Sequence, residues 1–276
     1  MKKSMGTKIV DYIIALIAVF FSTFPIIWLF LTSIKRSEAI YAWPPKFLPS
    51  NPTIKHYIEI FFGENNFLGY LINSTIVSVS VTIIVLSVGT LAAYAFARLE
   101  FKGKNTTMLI VLGLLMFPPL AVIPPLFLIF KKVGLVNNYL GLILGHSALF
   151  LPMTIWILTN YFQTLPKNIE DSAVIDGCST LQMIWKILLP ISLPGLVAAG
   201  LITFVFSWNE FLMSLVILSK NSMRTAVVGI ALYPGEYALP WELISAATII
   251  AIIPLMLLTV FFQKYIISGL TSGSIK

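Results

Sequence analysis

Six long stretches of this chain carry no charged side chain, and more polar connections separate them. Each stretch is at least as long as the ~20 apolar residues that a helix needs to cross about 30 Å of hydrocarbon. Helices of this composition offer no solvated face to water, which argues against a soluble bundle. The pattern therefore predicts six membrane-spanning helices, near 11–33, 70–97, 106–130, 138–161, 192–219 and 243–266.

The composition agrees with a membrane protein and excludes other classes. Apolar residues make up 58% of the 276 positions and charged residues 11%, far below the roughly 25% charge of soluble domains. The formal charge of +7 is spread over both predicted faces of the membrane, which argues against a nucleic-acid partner and favours cytosolic termini only slightly. We predict an all-α fold, a polytopic helical bundle in a lipid membrane.

The connections between the predicted helices suggest one transmembrane domain over residues 1–276. Two sizeable loops, 35–69 and 220–242, fall on one side of the membrane, and both contain proline turn signals. A polar loop at 163–190 and a C-terminal tail at 267–276 fall on the other side. With an even number of crossings, both termini lie on that second side.

The third predicted helix contains four prolines, each of which removes a backbone N–H donor: Pro118, Pro119, Pro124 and Pro125. Irregular backbone at membrane depth persists only where protein or a water-lined cavity satisfies the freed carbonyls. The prolines therefore favour either a bent helix that lines a pathway or an ordinary packed kink, and the sequence leaves both open.

The polar loop at 163–190 carries strong local signals for two short helices. Glu170 and Asp171 lie near the start of the first helix, where the helix dipole favours negative charge. Gly177 is typical of the left-handed residue that ends a helix. Ser179 and Gln182 have the spacing of a capping box for the second helix, which we expect to stop at Pro190.

This loop resembles the cytosolic signature of the integral-membrane permeases of bacterial ABC importers. That signature reads Glu-Ala-Ala, three residues, Gly, nine residues, then Ile-x-Leu-Pro. Here Asp171-Ser172-Ala173, Gly177 and Ile187-Leu188-Leu189-Pro190 stand at the same spacings. The chain departs from the signature at Asp171 and Ser172, and Glu170 comes directly before them. Which of the two carboxylates contacts a partner stays open at this point.

Three further segments are similar to the sugar-importing branch of these permeases, and most closely to the smaller, maltose-type subunit. Trp208-Asn209-Glu210-Phe211 looks like the Trp-Asn-acid-Phe segment of that branch. The ending, Gly269 to Lys276, resembles its Gly-Leu-Thr-rich tail, and Pro44 to Thr53 resembles its first outer loop. With these segments, the resemblance extends over nearly the whole chain.

The resemblance implies a permease that pairs with a second, homologous permease on a dimer of cytosolic ABC ATPases, with an extracytoplasmic sugar-binding protein that delivers the substrate. It places the chain in the cytoplasmic (inner) membrane of a bacterium or archaeon, with the 163–190 loop and both termini in the cytosol. A short cytosolic coupling helix would contact the ATPase through Glu170, Asp171, Ser172, Ala173, Asp176 and Gly177. The tail would insert between the ATPases through Gly269, Leu270, Thr271, Ser272 and Gly273.

The chain itself lacks the phosphate-binding pattern Gly-x-x-x-x-Gly-Lys-Ser/Thr. It therefore cannot hold ATP by that route, and the resemblance implies that ATP and Mg²⁺ are held on the partner ATPase. We expect this chain to bind no cofactor or metal. No carboxylate pair, catalytic triad or Cys/His cluster stands out in the sequence, so we predict that the chain is not an enzyme in its own right.

Glu210 is the only ionisable side chain that falls well inside a predicted span. A carboxylate at this depth is costly and usually faces the interior of a bundle. With Trp208, Asn209 and Phe211 it suits a path for a neutral, polar sugar, but a structural contact with water or with a partner lysine is the alternative. His146, in the fourth span, is expected to be packed or hydrogen-bonded.

A secondary transporter driven by an ion gradient is the competing class. Such proteins carry several ionisable residues within the membrane and paired broken helices in corresponding halves. This sequence offers only Glu210 and the proline-rich third helix. The ABC permease is therefore the favoured interpretation.

Overall fold

The computed structural model describes residues 5–63, 67–234 and 239–271, and within them the chain forms helices and no strand. The order of the α-helices is α1 (Met5–Ser33), α2 (Ser37–Ile40), α3 (Lys55–Phe62), α4 (Phe67–Arg98), α5 (Lys104–Leu114), α6 (Pro119–Lys132), α7 (Tyr139–Thr164), α8 (Asn168–Ile175), α9 (Thr180–Met183), α10 (Leu189–Ile191), α11 (Leu193–Asn209), α12 (Leu212–Ile217), α13 (Ala226–Ala231) and α14 (Trp241–Thr271). A π-helical turn, Ile184–Leu188, joins α9 to α10, and a 3₁₀ turn, Asn221–Met223, precedes α13.

Four single helices are long and apolar enough to cross a membrane, namely α1, α4, α7 and α14. Two bent pairs have the composition of a span when each pair is taken together: α5 with α6, at 94°, and Thr180–Ile191 with α11, at 81°. The described residues thus contain four to six candidate membrane helices, which confirms the all-helical membrane class. The count of six spans stays a prediction.

The third predicted span, 106–130, breaks between α5 and α6. The last turn of α5 tightens into i→i−3 bonds, from Met116 N to Gly113 O at 3.1 Å and from Phe117 N to Leu114 O at 3.3 Å. Pro118 is extended, and Pro119 takes the first position of α6, where a missing N–H costs nothing. The helix then continues through the other two prolines, so the break comes from the first pair alone.

The fifth predicted span, 192–219, is not one continuous helix. It ends at Asn209, continues through extended backbone at Glu210, and restarts as α12 at Leu212. The helix expected to stop at Pro190 also differs, since it passes through the π turn and Pro190 and ends at Ile191.

The described residues pack into two compact units. One comprises those of Met1–Leu68 and Gly229–Pro254, and the other those of Gly69–Val228 and Leu255–Lys276. In the first unit, Ser37 Oγ donates to Glu242 Oε1 at 2.6 Å and the Tyr41 hydroxyl donates to Leu239 O at 2.5 Å. These bonds attach the first loop to the start of α14. That the whole chain is one transmembrane domain stays a prediction.

The second unit is built around α4, α7 and α11. Helices α7 and α11 approach closely because Gly195 has no side chain: a Cβ there would lie 2.5 Å from the Tyr161 ring. The hydroxyls of Thr154 and Thr203 are hydrogen-bonded across the same contact at 2.9 Å. Small residues and buried hydroxyl pairs of this kind are how helices associate inside a membrane.

Helix α4 contributes to both apolar cores of the second unit. Its residues Val77, Val81 and Val85 are at most 1% exposed and pack in one core with residues of α6, α7 and α12. Its residues Ala93 and Tyr94 pack in the other core with residues of α7, α8, α11 and the π turn. The helix is therefore held along most of its length.

Candidate functional site

The loop helix α8 is fixed to α4 by a buried ion pair. Glu170, in the first turn of α8, accepts a hydrogen bond from Arg98 Nε at 2.5 Å, and about a tenth of each side chain is exposed (11% for Arg98, 9% for Glu170). Arg98 is the last residue of α4, and its Nη2 also donates to Leu165 O at 2.9 Å. One guanidinium thus holds both the helix and the chain that leads into it. Sequence reasoning did not identify Arg98.

The two faces of α8 have different surroundings. Ala173 is only 2% exposed and packs in the core beneath the helix, so one face of α8 is buried within the second unit. The opposite face presents two carboxylates, a hydroxyl and two apolar side chains to the surface: Asp171, Ser172, Val174, Ile175 and Asp176. A helix with its inner face fixed and a mixed polar and apolar outer face has the form of a docking element.

The end of α8 is a Schellman motif. Gly177 has a φ of +79°, in the left-handed region, and its N–H donates to Val174 O at 3.0 Å. The next N–H, of Cys178, donates to Ala173 O, also at 3.0 Å. These are the two bonds that define the motif. The prediction that Gly177 ends the helix in the left-handed conformation is confirmed.

The start of α9 has the predicted capping box. Ser179 N donates to Gln182 Oε1 at 3.0 Å, and Gln182 N donates to Ser179 Oγ at 3.4 Å. The capping box therefore fixes the direction in which the chain enters α9. The coupling role of α8 itself stays a prediction.

A second polar cluster lies where α11 ends. The carboxylate of Glu210 accepts hydrogen bonds from Met213 N at 2.8 Å, from Ser214 N at 3.0 Å and from Ser214 Oγ at 3.1 Å. It therefore caps the N-terminus of α12, whose first N–H groups have no acceptor within the helix itself. This cap explains why the fifth predicted span breaks at Glu210.

His146 connects this break to α7. The imidazole is fully buried, with Nδ1 3.0 Å from Ser207 Oγ and Nε2 3.0 Å from Glu210 Oε2. The expectation that His146 is packed or hydrogen-bonded therefore agrees with the structure. Its pairing with Glu210 had no signal in the sequence, because the spacing along the chain does not reveal how α7 lies on α11.

The other members of the Trp-Asn-Glu-Phe segment have different surroundings. Trp208 is 2% exposed and stacks on Phe204, with ring centroids 5.6 Å apart. Asn209 is exposed, and its amide donates to Val205 O at 2.8 Å, one turn back on its own helix. Phe211 is partly exposed. Their role in a translocation path stays a prediction.

The predicted tail contact falls mostly beyond the described residues. Gly269, Leu270 and Thr271 form the end of α14, whereas Ser272 and Gly273 lie outside the residues that the structure describes. Among the described residues, no group of three or more His, Cys, Asp or Glu side chains is placed to hold a metal ion. The expectation of no cofactor in this chain stays a prediction.

Comparison with known proteins shows the family. Residues 85–272 match the model of the binding-protein-dependent transport system inner membrane component. The sulfoquinovosyl glycerol transport system permease protein SmoH of Agrobacterium fabrum is 36% identical over 98% of this chain and 94% of its own length. The trehalose/maltose transport system permease protein MalG of Thermococcus litoralis is 37% identical over 100% of this chain and 99% of its own.

A third relative and a solved structure agree with these matches. The trehalose transport system permease protein SugB of Mycobacterium tuberculosis is 34% identical over 99% of this chain and 100% of its own. A chain of a bacterial ABC transporter that imports the acidic polysaccharide alginate has the same fold, with a TM-score of 0.82 at 23% identity over 96% of this chain and 99% of that one. The chain belongs to the family of binding-protein-dependent transport system inner membrane components, the permease subunits of ABC importers.

Proposed function

We propose that this chain is the permease subunit of an ATP-driven importer for a carbohydrate, either a monosaccharide or an oligosaccharide. The relatives described above are named for trehalose, maltose and sulfoquinovosyl glycerol, all of which are sugars or sugar derivatives. The observation that carries the proposal is α8, a capped helix with its inner face fixed to α4 and its outer face open. The partners of the whole chain are a second homologous permease, a cytosolic ATPase dimer and an extracytoplasmic sugar-binding protein.

In this mechanism, α8 is the coupling helix. It docks in a cleft of the ATPase, and the closure of the ATPase dimer on ATP displaces it. The Schellman motif fixes the end of α8, and the capping box fixes the start of α9. The displacement of α8 therefore passes to α9 and α11 rather than being lost in a flexible loop. Differential contacts of this kind shift the balance between outward-facing and inward-facing states. ATP and Mg²⁺ stay on the ATPase, and both termini of the chain are cytosolic.

The structure favours Asp171 over Glu170 as the carboxylate that meets the ATPase. Glu170 is occupied by Arg98 and is 7% exposed, so a partner could reach it only by breaking a buried pair. Asp171 is exposed on the open face of α8. A basic side chain of the ATPase can therefore pair with Asp171 while the Arg98–Glu170 contact stays intact.

We expect Asp171→Lys to lower the amount of ATPase that co-purifies with this chain by about tenfold or more, because a like charge placed against a complementary basic partner costs several kcal/mol. The matched control is Glu100→Lys, which reverses an acid whose side chain is 90% exposed in the 98–105 connection, predicted to lie on the same side of the membrane. The measurement is the ratio of ATPase to permease after purification through a tag on this chain. An equal loss in both variants would contradict a specific contact at Asp171.

The path for the sugar is proposed to follow the break at Glu210. Both carboxylate oxygens of Glu210 are hydrogen-bonded within the chain. We therefore assign Glu210 a structural role, in which it holds the wall of the path in place without binding the sugar. Asn209 and Phe211, which reach the surface, are the members of the segment that face the passing sugar. An amide and an aromatic ring are the groups that suit a neutral, hydroxyl-rich substrate.

The test of this function is uptake of radiolabelled sugar by proteoliposomes that contain the complex purified through this chain, with its binding protein added. We expect uptake to require ATP on the side of the vesicle membrane that carries the ATPase. We expect it to continue in the presence of a protonophore. Uptake by this chain alone that a protonophore abolishes would instead identify a secondary transporter. A complex that contains no ATPase would also contradict the proposal.

A further inference from the structure

Helix α4 is attached at each of its two ends to a segment that is distant in sequence. With 32 residues it is about 48 Å long, at 1.5 Å of rise per residue, which is enough to reach from one side of a membrane to the other. At its end stands Arg98, which holds α8. Near its start stand polar residues that hold a segment we call the 221–226 segment, which opens the second large loop.

The contacts near the start of α4 are direct and buried. Asn73, 6% exposed, donates both amide hydrogens to backbone carbonyls, to Ser222 O at 3.0 Å and to Arg224 O at 2.9 Å. Tyr70, one turn before Asn73, donates to Asn221 Oδ1 at 2.6 Å. Ser74, directly after Asn73, accepts a hydrogen bond at its Oγ from Ala226 N at 2.8 Å. These bonds follow the backbone of the 221–226 segment, so the segment cannot move without moving α4 or breaking them.

The opposite end of α4 is held equally tightly, by different chemistry. The guanidinium of Arg98 bridges Glu170 Oε1 at 2.5 Å and Leu165 O at 2.9 Å. Arginine suits this role because its planar fork can serve two acceptors at once in a fixed geometry. A displacement of α8 therefore pulls on the last turn of α4 through charged hydrogen bonds with little access to water.

Between these ends, α4 is packed too well to absorb the displacement. Val77, Val81 and Val85 form a fully buried stripe at i, i+4 spacing, and Ala93 continues the contact in the second core. Close-packed interiors transmit strain rather than deform smoothly. No proline interrupts the helix, in contrast to the third span.

We propose that α4 is the element that links α8 to the 221–226 segment across the membrane, with Arg98 and Asn73 as the positioning residues at its two ends. Nucleotide-driven movement of α8 displaces α4, and α4 repositions the segment that leads into the loop facing the binding protein. The same linkage runs in reverse, because coupling between two sites is reciprocal. The inference rests on the function proposed above, in which α8 contacts the ATPase.

The test uses a single cysteine as a reporter on the 221–226 segment. Ser222 is exposed, and its own carbonyl is one of the two that Asn73 holds, so a thiol introduced at this position reports on the segment directly. The chain has one native cysteine, Cys178. In a Cys178→Ser, Ser222→Cys background, the labelling rate of this chain by a charged maleimide is measured in the purified complex, without nucleotide and after trapping with ATP and vanadate.

We expect trapping to change the labelling rate by roughly two- to thirty-fold, which corresponds to the coupling energies that contiguous networks carry. Asn73→Ala or Arg98→Ala is expected to reduce this change by half or more, while basal ATP hydrolysis by the complex continues. The remainder passes along the chain, through α9, α11 and α12, which lead into the segment. Arg98→Lys keeps the charge but reaches only one acceptor, so it retains part of the change. A merely structural role for Asn73 would lower the yield of complex without altering the ratio of the two rates.

Matched controls come from the same regions of the chain. Thr75→Ala removes a hydroxyl that donates only to Leu71 O on its own helix, and Glu100→Ala removes a 90% exposed side chain whose only partner among the described residues is Lys104. Both are expected to keep the full change in labelling rate. The double variant Asn73→Ala, Arg98→Ala is expected to be no worse than either single variant, since one linkage is already broken at one end.

The outcomes separate this inference from the proposed function. A complex that lacks an ATPase or takes up no sugar with ATP contradicts the proposed function. A complex that transports with ATP, but in which trapping leaves the labelling rate of the Ser222→Cys thiol unchanged, contradicts the linkage alone. A change in rate that is as large in Asn73→Ala and in Arg98→Ala as in the unaltered background also overturns it, as do losses from the two variants that add fully in the double variant.

Discussion

The Gly177→Leu variant is expected to insert into the membrane in normal amounts and yet to lose about tenfold or more of its ATP-driven uptake. Gly177 has a φ of +79°, and an L-residue held there costs about 1–2 kcal/mol. The backbone relieves this strain by leaving the left-handed region, which breaks the two bonds from Gly177 and Cys178 that end α8. The direction of α9 relative to α8 then changes, and the displacement no longer reaches α11.

The reason for this loss is backbone conformation and not space. No atom lies within 4 Å of the position that a Cβ would take at Gly177, so a small side chain meets no clash. Gly177→Asn is therefore the matched control, because asparagine accepts the left-handed region more readily than other residues. We expect the Gly177→Asn variant to keep most of the uptake. Gly177→Val is expected to lose the most, because valine is β-branched.

Three measurements decide this prediction. Uptake and ATP hydrolysis are compared in proteoliposomes of each variant, and the amount of inserted chain is measured in the membrane fraction. The expected signature is ATP hydrolysis that continues without transport, at unchanged insertion. Wild-type uptake in Gly177→Leu, or an equal loss in Gly177→Asn, would show that the helix stop at this position does not matter for coupling.

The parts of the site that the sequence could predict are those whose bonds are local. The Schellman motif at Gly177 and the capping box at Ser179 both close within five residues, so residue type and spacing are enough to identify them. The break at Pro118 and Pro119 is local for the same reason, since each proline acts on its own backbone. The sequence predicted a bend within 106–130, although not that the first pair of its four prolines would divide the span into two helices.

The parts that the sequence could not predict depend on how the helices pack. Arg98 and Glu170 are 72 residues apart, and His146 and Glu210 are 64 apart. Nothing in the pattern of either residue identifies its partner, because charge and spacing are local properties and these contacts are tertiary. The break at Glu210 was missed for a related reason: an acid in an apolar run indicates function, but not that its carboxylate caps a new helix.

Glu210→Ala is expected to have the second large effect, a loss of about 1.5–5 kcal/mol of stability together with the loss of transport. The substitution removes the cap of α12, which is worth about 0.5–2 kcal/mol. It also leaves the fully buried His146 without one of its two partners, at about 1–3 kcal/mol more. The N–H groups of Met213 and Ser214 also lose the acceptor that the Glu210 carboxylate supplies.

The neighbouring residue supplies the control for this prediction. Asn209→Ala removes an exposed side chain that bonds only to its own helix, so we expect its effect on stability to be within about 0.5 kcal/mol. Stability is measured as the apparent Tm of the purified chain in detergent, and transport as ATP-driven uptake. Because His146 and Glu210 act on each other, adding His146→Ala to Glu210→Ala should cost less than the sum of the two single changes. Fully additive losses, or an equal loss of stability in Asn209→Ala, would mean that the break is held by packing and not by the Glu210 carboxylate.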